Sequence, residues 1–224
     1  MRRIRTLGSP SLLLASLLVF SCADARGRFN QFQQRAAAGL DAGIIDAGIV
    51  DETYDGGPCA PPAPGSVQGP ALLALDTGFS PGQPILFFGE IDTPALDGTT
   101  AVHFMYRALD AADRKTLVGD QLDEGPFPLG ADGTLTADLP AEPLAQAANP
   151  LNTGVTIVSQ FGLRGHICGT RTFYCGLAPG QILSPVMGTI AGRFGITLVS
   201  GIDALPARPR YGCDADAFAI PLAD

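Results

Sequence analysis

Between Ala71 and Val199 the apolar residues recur mostly at every second position. That is the period a half-buried β-strand imposes, because successive side chains leave the backbone on opposite faces. The clearest run puts Val102, Phe104, Tyr106 and Ala108 on one face and Ala101, His103, Met105 and Arg107 on the other. Ile85 to Ile91 is apolar on both faces and reads as a central strand, with Asp97-Gly98 in the loop between the two. Asp132-Gly133 marks a second hairpin turn, followed by Leu135, Ala137 and Leu139 inward and Thr134, Thr136 and Asp138 outward. Further strands are expected over Leu72 to Asp76, Val155 to Phe161, Thr170 to Cys175, Phe194 to Val199 and a segment between Leu117 and Leu129. Only Glu142 to Ala148 reads as helix, ended by Asn149-Pro150. The expectation is an all-β domain, a single antiparallel meander of about eight strands. Its short connections favour a barrel-like form, and an immunoglobulin-like β-sandwich is the alternative.

Five cysteines punctuate the chain. Setting Cys22 aside leaves Cys59, Cys168, Cys175 and Cys213, an even number that reads as two disulfides in an oxidising compartment. Three pairings are open; the expected one joins Cys168 to Cys175 across a short loop and Cys59 to Cys213 across the domain. A thiolate metal site drawing on His166 is the rival reading, but the chain has no C-x-x-C pair, so no metal and no cofactor is expected.

The first residues place Arg2, Arg3 and Arg5 before the greasy run Leu12 to Phe20, then Ser21-Cys22, the order of a secretory signal. The run is shorter than the roughly 20 apolar residues of a membrane-spanning helix. Val19-Phe20-Ser21-Cys22 resembles the lipobox of bacterial lipoproteins, with Phe20 bulkier than that family's usual residue. The resemblance implies that Cys22 becomes the acylated first residue of the mature chain. Asp41-Ala42-Gly43, Asp46-Ala47-Gly48 and Asp51 repeat a unit that resembles the linkers of myxobacterial cell-surface lipoproteins. Fragments such as Leu109 to Arg114, Ala147 to Pro150 and Tyr174-Cys175-Gly176 are also similar to pieces of those lipoproteins. The implied organisation is a signal peptide over 1–21, a lipid anchor with a disordered low-complexity tether over 22–58, and a disulfide-braced β-domain over 59–224. Phe29 to Leu40 is compatible with a short helix inside the tether. The implied location is the cell envelope, held to a membrane through N-terminal acyl chains, with the outer membrane preferred.

A net charge of -8 excludes the basic stripe that nucleic-acid binding needs. Gly78-Phe79-Ser80-Pro81-Gly82 fits the nucleophile-elbow pattern, but Pro81 has no N–H to lend to an oxyanion hole, so Ser80 reads as a turn residue. No H-E-x-x-H, Walker, Rossmann or EF-hand pattern occurs. His103 and His166 read as structural, and Asp214 with Asp216 as a weak calcium candidate. The favoured function is therefore a non-catalytic binding or structural module that meets an envelope protein, a glycan or a small apolar ligand. The alternative is a hydrolase using acids such as Glu90, Asp92 or Asp138. A hollow apolar barrel interior would favour the small ligand, and paired carboxylates in one cleft the hydrolase.

Overall fold

The computed structural model describes residues 59–151, 155–169 and 171–222. The expected signal, Cys22, the expected Asp-Ala-Gly tether and the helix expected over 29–40 lie outside the described residues.

The described chain is all-β, with strands β1 (Gln68–Asp76), β2 (Ile85–Asp92), β3 (Ala95–Leu96), β4 (Thr99–Leu109), β5 (Leu117–Pro128), β6 (Thr134–Asp138), β7 (Glu142–Leu144), β8 (Ile157–His166), β9 (Phe173–Ser184) and β10 (Gly188–Leu198). Every pairing among them is antiparallel. The order is β3-β4-β2-β1-β10-β9-β8-β6, with β5 on the free side of β4 and β7 beside β6 on β8. β2 and β3 form one arm of a hairpin with β4, turning at Asp97-Gly98, where both residues have positive φ.

The first strand pairs with the last, Leu73 opposite Ile196, so the sheet curls back on itself. Its two edges become β5 and β6, which are neighbours in sequence. Between them Gly130 N–H donates to Thr134 O at 2.8 Å and Gly133 N–H to Gly130 O at 2.9 Å. Asp132 accepts from the Thr134 N–H and hydroxyl at 3.1 and 2.6 Å, the local chemistry that makes Asp a turn residue. The edges then touch at a single bridge, Leu129 with Leu135. This is the barrel-like form, in its half-closed version. One continuous sheet replaces the two stacked sheets of the immunoglobulin-like alternative.

Alternation decides what fills the interior. Leu73 and Leu75 of β1, Phe87 of β2, Val102, Phe104 and Tyr106 of β4, Leu135 and Ala137 of β6, Tyr174 of β9 and Phe194 and Ile196 of β10 share one core. The opposite faces of β1, β2 and β4 supply Leu72, Ala74, Leu86 and Leu109, which are also buried because Ile202, Leu205 and Tyr211 from the C-terminal segment lie over them. That cover explains why Ile85 to Ile91 carries apolar residues on both faces.

Three expectations need correction. Glu142 to Ala148 is not one helix: Glu142–Leu144 is strand β7 and only Gln146–Ala148 forms a 3₁₀ turn. The segment is too short to nucleate a helix, whereas the edge of β8 offers ready partners, and Pro143 tolerates an edge position because it needs no donor there. Of the strands expected at Thr170 to Cys175 and Phe194 to Val199, the parts Phe173 to Cys175 and Phe194 to Leu198 are strand, and they form the open end, away from the turn, of the much longer hairpin β9–β10. The cysteines pair as Cys59–Cys168 and Cys175–Cys213, with Cα atoms 5.7 and 5.3 Å apart. All four gather in one cluster, so short sequence spacing was a poor guide. The register that sets Gly165 opposite Gly176 carries Cys175 level with His166 rather than Cys168. Arg210, stacked 4.4 Å above the Phe173 ring, brings the C-terminal segment and Cys213 to β9 instead.

Candidate functional site

The two edges of the sheet meet at the Leu129–Leu135 corner and approach again where a Cβ on Gly119 would lie 3.0 Å from the Ala145 Cβ. Between these points β5 and β7 stay apart, and a cavity of about 230 Å³ opens there into the barrel interior. Its walls include Leu75, Phe87, Tyr106, Leu122, Leu144 and Phe161, and Asp120, Glu124 and Glu142 are its acidic members. Among the described residues that line it, none is Lys, Arg or His.

The polar side chains reach this apolar place by traceable routes. Tyr106 belongs to the inward set of β4 and stands edge-on to Phe87, with centroids 5.2 Å apart. Glu124 arrives by irregularity. The β4–β5 register shifts between Val102 and Phe104 and again between Tyr106 and Ala108, so β5 carries extra residues, and such bulges re-aim the side chains beside them. At the first shift Gly125 has φ 112° and a Cβ there would lie 2.9 Å from Val102 O, so only glycine fits. Immediately before it Glu124 takes an inward slot opposite Phe104.

Tyr106 is 7% exposed and Glu124 9% exposed. Among the described residues neither side chain has a protein hydrogen-bond partner, and since the fully enclosed atom without one is Arg107 Nε, the Tyr106 and Glu124 oxygens open onto the cavity. Burial, then the charges of Glu142 and Asp123, hold the Glu124 carboxyl above its ordinary pKa. Burial, then Glu124 and Glu142, push the Tyr106 phenol far up, so that it remains a neutral donor. Together they form a short acidic and phenolic strip beside an apolar chamber.

The other residues singled out from sequence sit elsewhere. His103 is held between Asp92, at 3.0 Å from Nδ1, and Asp123, at 2.5 Å from Nε2, a clamp across β2, β4 and β5. Desolvation lowers its pKa, but the hydrogen bond to Asp123, the charges of Asp92 and Asp123 and the bond to Asp92 outweigh that and raise it. Asp138 pairs with Arg164, and Glu90 lies exposed on the outer face of β2. Glu90, Asp92 and Asp138 are therefore not the carboxylates that share the cavity. Ser80 donates to Gln83 Oε1 at 2.7 Å and accepts the Gln83 N–H through its carbonyl at 2.9 Å, a turn. Asp214 pairs with Arg193, and His166 ends β8 opposite Thr134. The four domain cysteines are disulfides. Among the described residues no three His, Cys, Asp or Glu side chains are grouped to hold a metal.

Glu124 and Glu142 escaped sequence reading because bulges and proline break the alternation of β5, and because the span of β7 reads as helix. The one available signal was a glutamate in the middle of the strand-forming segment between Leu117 and Leu129. No family model, curated protein or solved structure matches the chain.

Proposed function

We propose that this protein is a binding module of the cell envelope, lipid-anchored at Cys22, which takes a small apolar molecule through the window between β5 and β7. The observation that carries the reading is the cavity of about 230 Å³, close to the small end of ligand sites, which are mostly apolar with a few placed polar groups. The two disulfides are compatible with an extracytoplasmic location. The anchor and tether rest on the N-terminal resemblance and would hold the window away from the membrane surface.

The test is titration of the full-length chain with an apolar fluorophore such as N-phenyl-1-naphthylamine, which is aided by the absence of tryptophan. Ala108 lies on the cavity wall, and Ala108→Leu narrows it. The expected result is saturable binding that the variant loses. Equal binding by both proteins would remove the cavity from consideration. The anchor is tested separately with a palmitate analogue: Cys22→Ala is expected to abolish labelling.

A second reading has one observation in its favour. Glu124 and Glu142 share one cleft, and an acid with a raised pKa beside a second carboxylate is the pairing used in acid–base hydrolysis. Turnover of a bound glycoside or ester, lost in both Glu124→Gln and Glu142→Gln, would move the reading to that class.

A further inference from the structure

The chemistry of the strip identifies the kind of molecule the cavity accepts. Three features converge on it. Tyr106 and Glu124 are each more than nine-tenths buried and line the cavity, and among the described residues neither has a protein hydrogen-bond partner. Their oxygen atoms are not among the fully enclosed, unpartnered ones; they open onto the cavity, where a carboxylate with no counter-charge beside it is left for a ligand to neutralise. Glu142 and Asp120 add negative charge from the same lining, and no cationic side chain on that lining offsets it. The remaining wall is aliphatic and aromatic, with Phe87, Tyr106 and Phe161 among it, and aromatic rings tolerate an adjacent cation.

We propose that the cavity between β5 and β7 binds a protonated amine carrying an apolar chain or ring, the apolar part filling the barrel and the ammonium group meeting Glu124, Tyr106 and Glu142. The inference rests on the cavity being the ligand site. An ammonium group has three donors and no acceptor, which matches two carboxylates and a phenol oxygen. A carboxylate or phosphate head would instead be repelled by Glu124, Glu142 and Asp120. An uncharged alcohol could use one of the acceptors and would leave the charges uncompensated.

The experiment is calorimetric titration of the full-length protein at neutral pH with octylamine, octan-1-ol and octanoate, which share a chain and differ in the head. Octylamine is expected to bind about tenfold or more tighter than octan-1-ol, since a charge-assisted hydrogen bond is the stronger kind, and octanoate is expected to give no measurable heat. Glu124→Gln is expected to bring octylamine down to the affinity of octan-1-ol while leaving octan-1-ol within about twofold. Glu142→Gln, nearer the opening and less demanding of the fold, is expected to weaken octylamine in the same direction by a smaller factor. Octan-1-ol or octanoate binding as tightly as octylamine, or octylamine indifferent to both substitutions, would overturn the amine proposal while leaving the apolar cavity in place. If neither octylamine, octan-1-ol nor octanoate binds, both the amine and the cavity reading fall.

Discussion

At the Leu129–Leu135 corner the barrel interior is filled: Leu135, Ile167, Tyr174 and Phe194 are each fully buried. Ile167 N–H donates to Gly133 O at 2.8 Å, and Cys59–Cys168 staples the neighbourhood. A few residues along the same seam, between β5 and β7, the interior is hollow and bordered by Tyr106 and Glu124. The two regions share one sheet and one inward alternation. They differ in what closes the edge. Where the edge strands bridge, side chains interdigitate and polar groups find partners: Tyr174 Oη donates to Arg171 O at 2.8 Å. Where bulges bend β5 away, the phenol of Tyr106 has no protein partner among the described residues. The contrast teaches that the opening comes from backbone irregularity in β5, in a core whose residues are otherwise ordinary for a barrel.

Four measurements would break or sharpen that contrast. The largest effect is expected from replacing Cys59 and Cys168 together by serine. Their sequence separation of 109 residues makes the loop entropy of the bridge about 5 kcal/mol, seen as a loss of denaturant stability. Probe binding at the window is expected to persist wherever the chain stays folded; loss of binding in the folded variant would mean the two regions are not independent. Next, Leu135→Ala in the filled region is expected to cost about 4 kcal/mol and Leu144→Ala on the cavity wall about 2 kcal/mol. Leu144 faces space on one side and has fewer dispersion contacts to lose, so equal costs would mean the window is packed in solution.

Smaller still is the phenol pair. Tyr174→Phe is expected to cost about 1 kcal/mol by leaving the Arg171 carbonyl short of a donor, while Tyr106→Phe is expected to change stability by less than about 0.5 kcal/mol. A comparable loss at both positions would show that Tyr106 has an unrecognised partner. Smallest is a slope with pH. The folded-state pKa of Glu124 is raised by burial, then by Glu142 and Asp123, so its contribution to stability is fully present below the ordinary glutamate range and lost as pH rises through the raised value. Tyr106, which also lines the cavity, stays neutral across that window. Glu124→Gln is therefore expected to flatten this part of the stability profile, and an unchanged slope would place Glu124 in water.

Much of the fold was legible because alternation is local. Val102, Phe104, Tyr106 and Ala108 had to face one way together, Leu135, Ala137 and Leu139 likewise, and Asp97-Gly98 and Asp132-Gly133 carry turn chemistry within a few bonds. The long hairpin β9–β10 was half hidden because Gly176, Pro179 and Gly180 interrupt the apolar pattern of β9 with residues that bury no side chain. β7 was misread because a three-residue edge strand has no period to detect. The candidate site was the least visible part, since its two glutamates lie on the irregular strand and on the misread one.

The amino-acid sequence by itself determined the class of element, the inward faces and the tight turns, all of which depend on neighbours within a few residues. Only the tertiary structure decided that β1 pairs with β10, which of the four clustered cysteines bond, and that β5 and β7 part to leave Glu124 and Tyr106 beside an open chamber. Each of those depends on where distant segments arrive once the sheet has curled. The β4–β5 register shifts twice where β5 borders the opening, and alternation along a single strand carries no record of how far the edges stand apart.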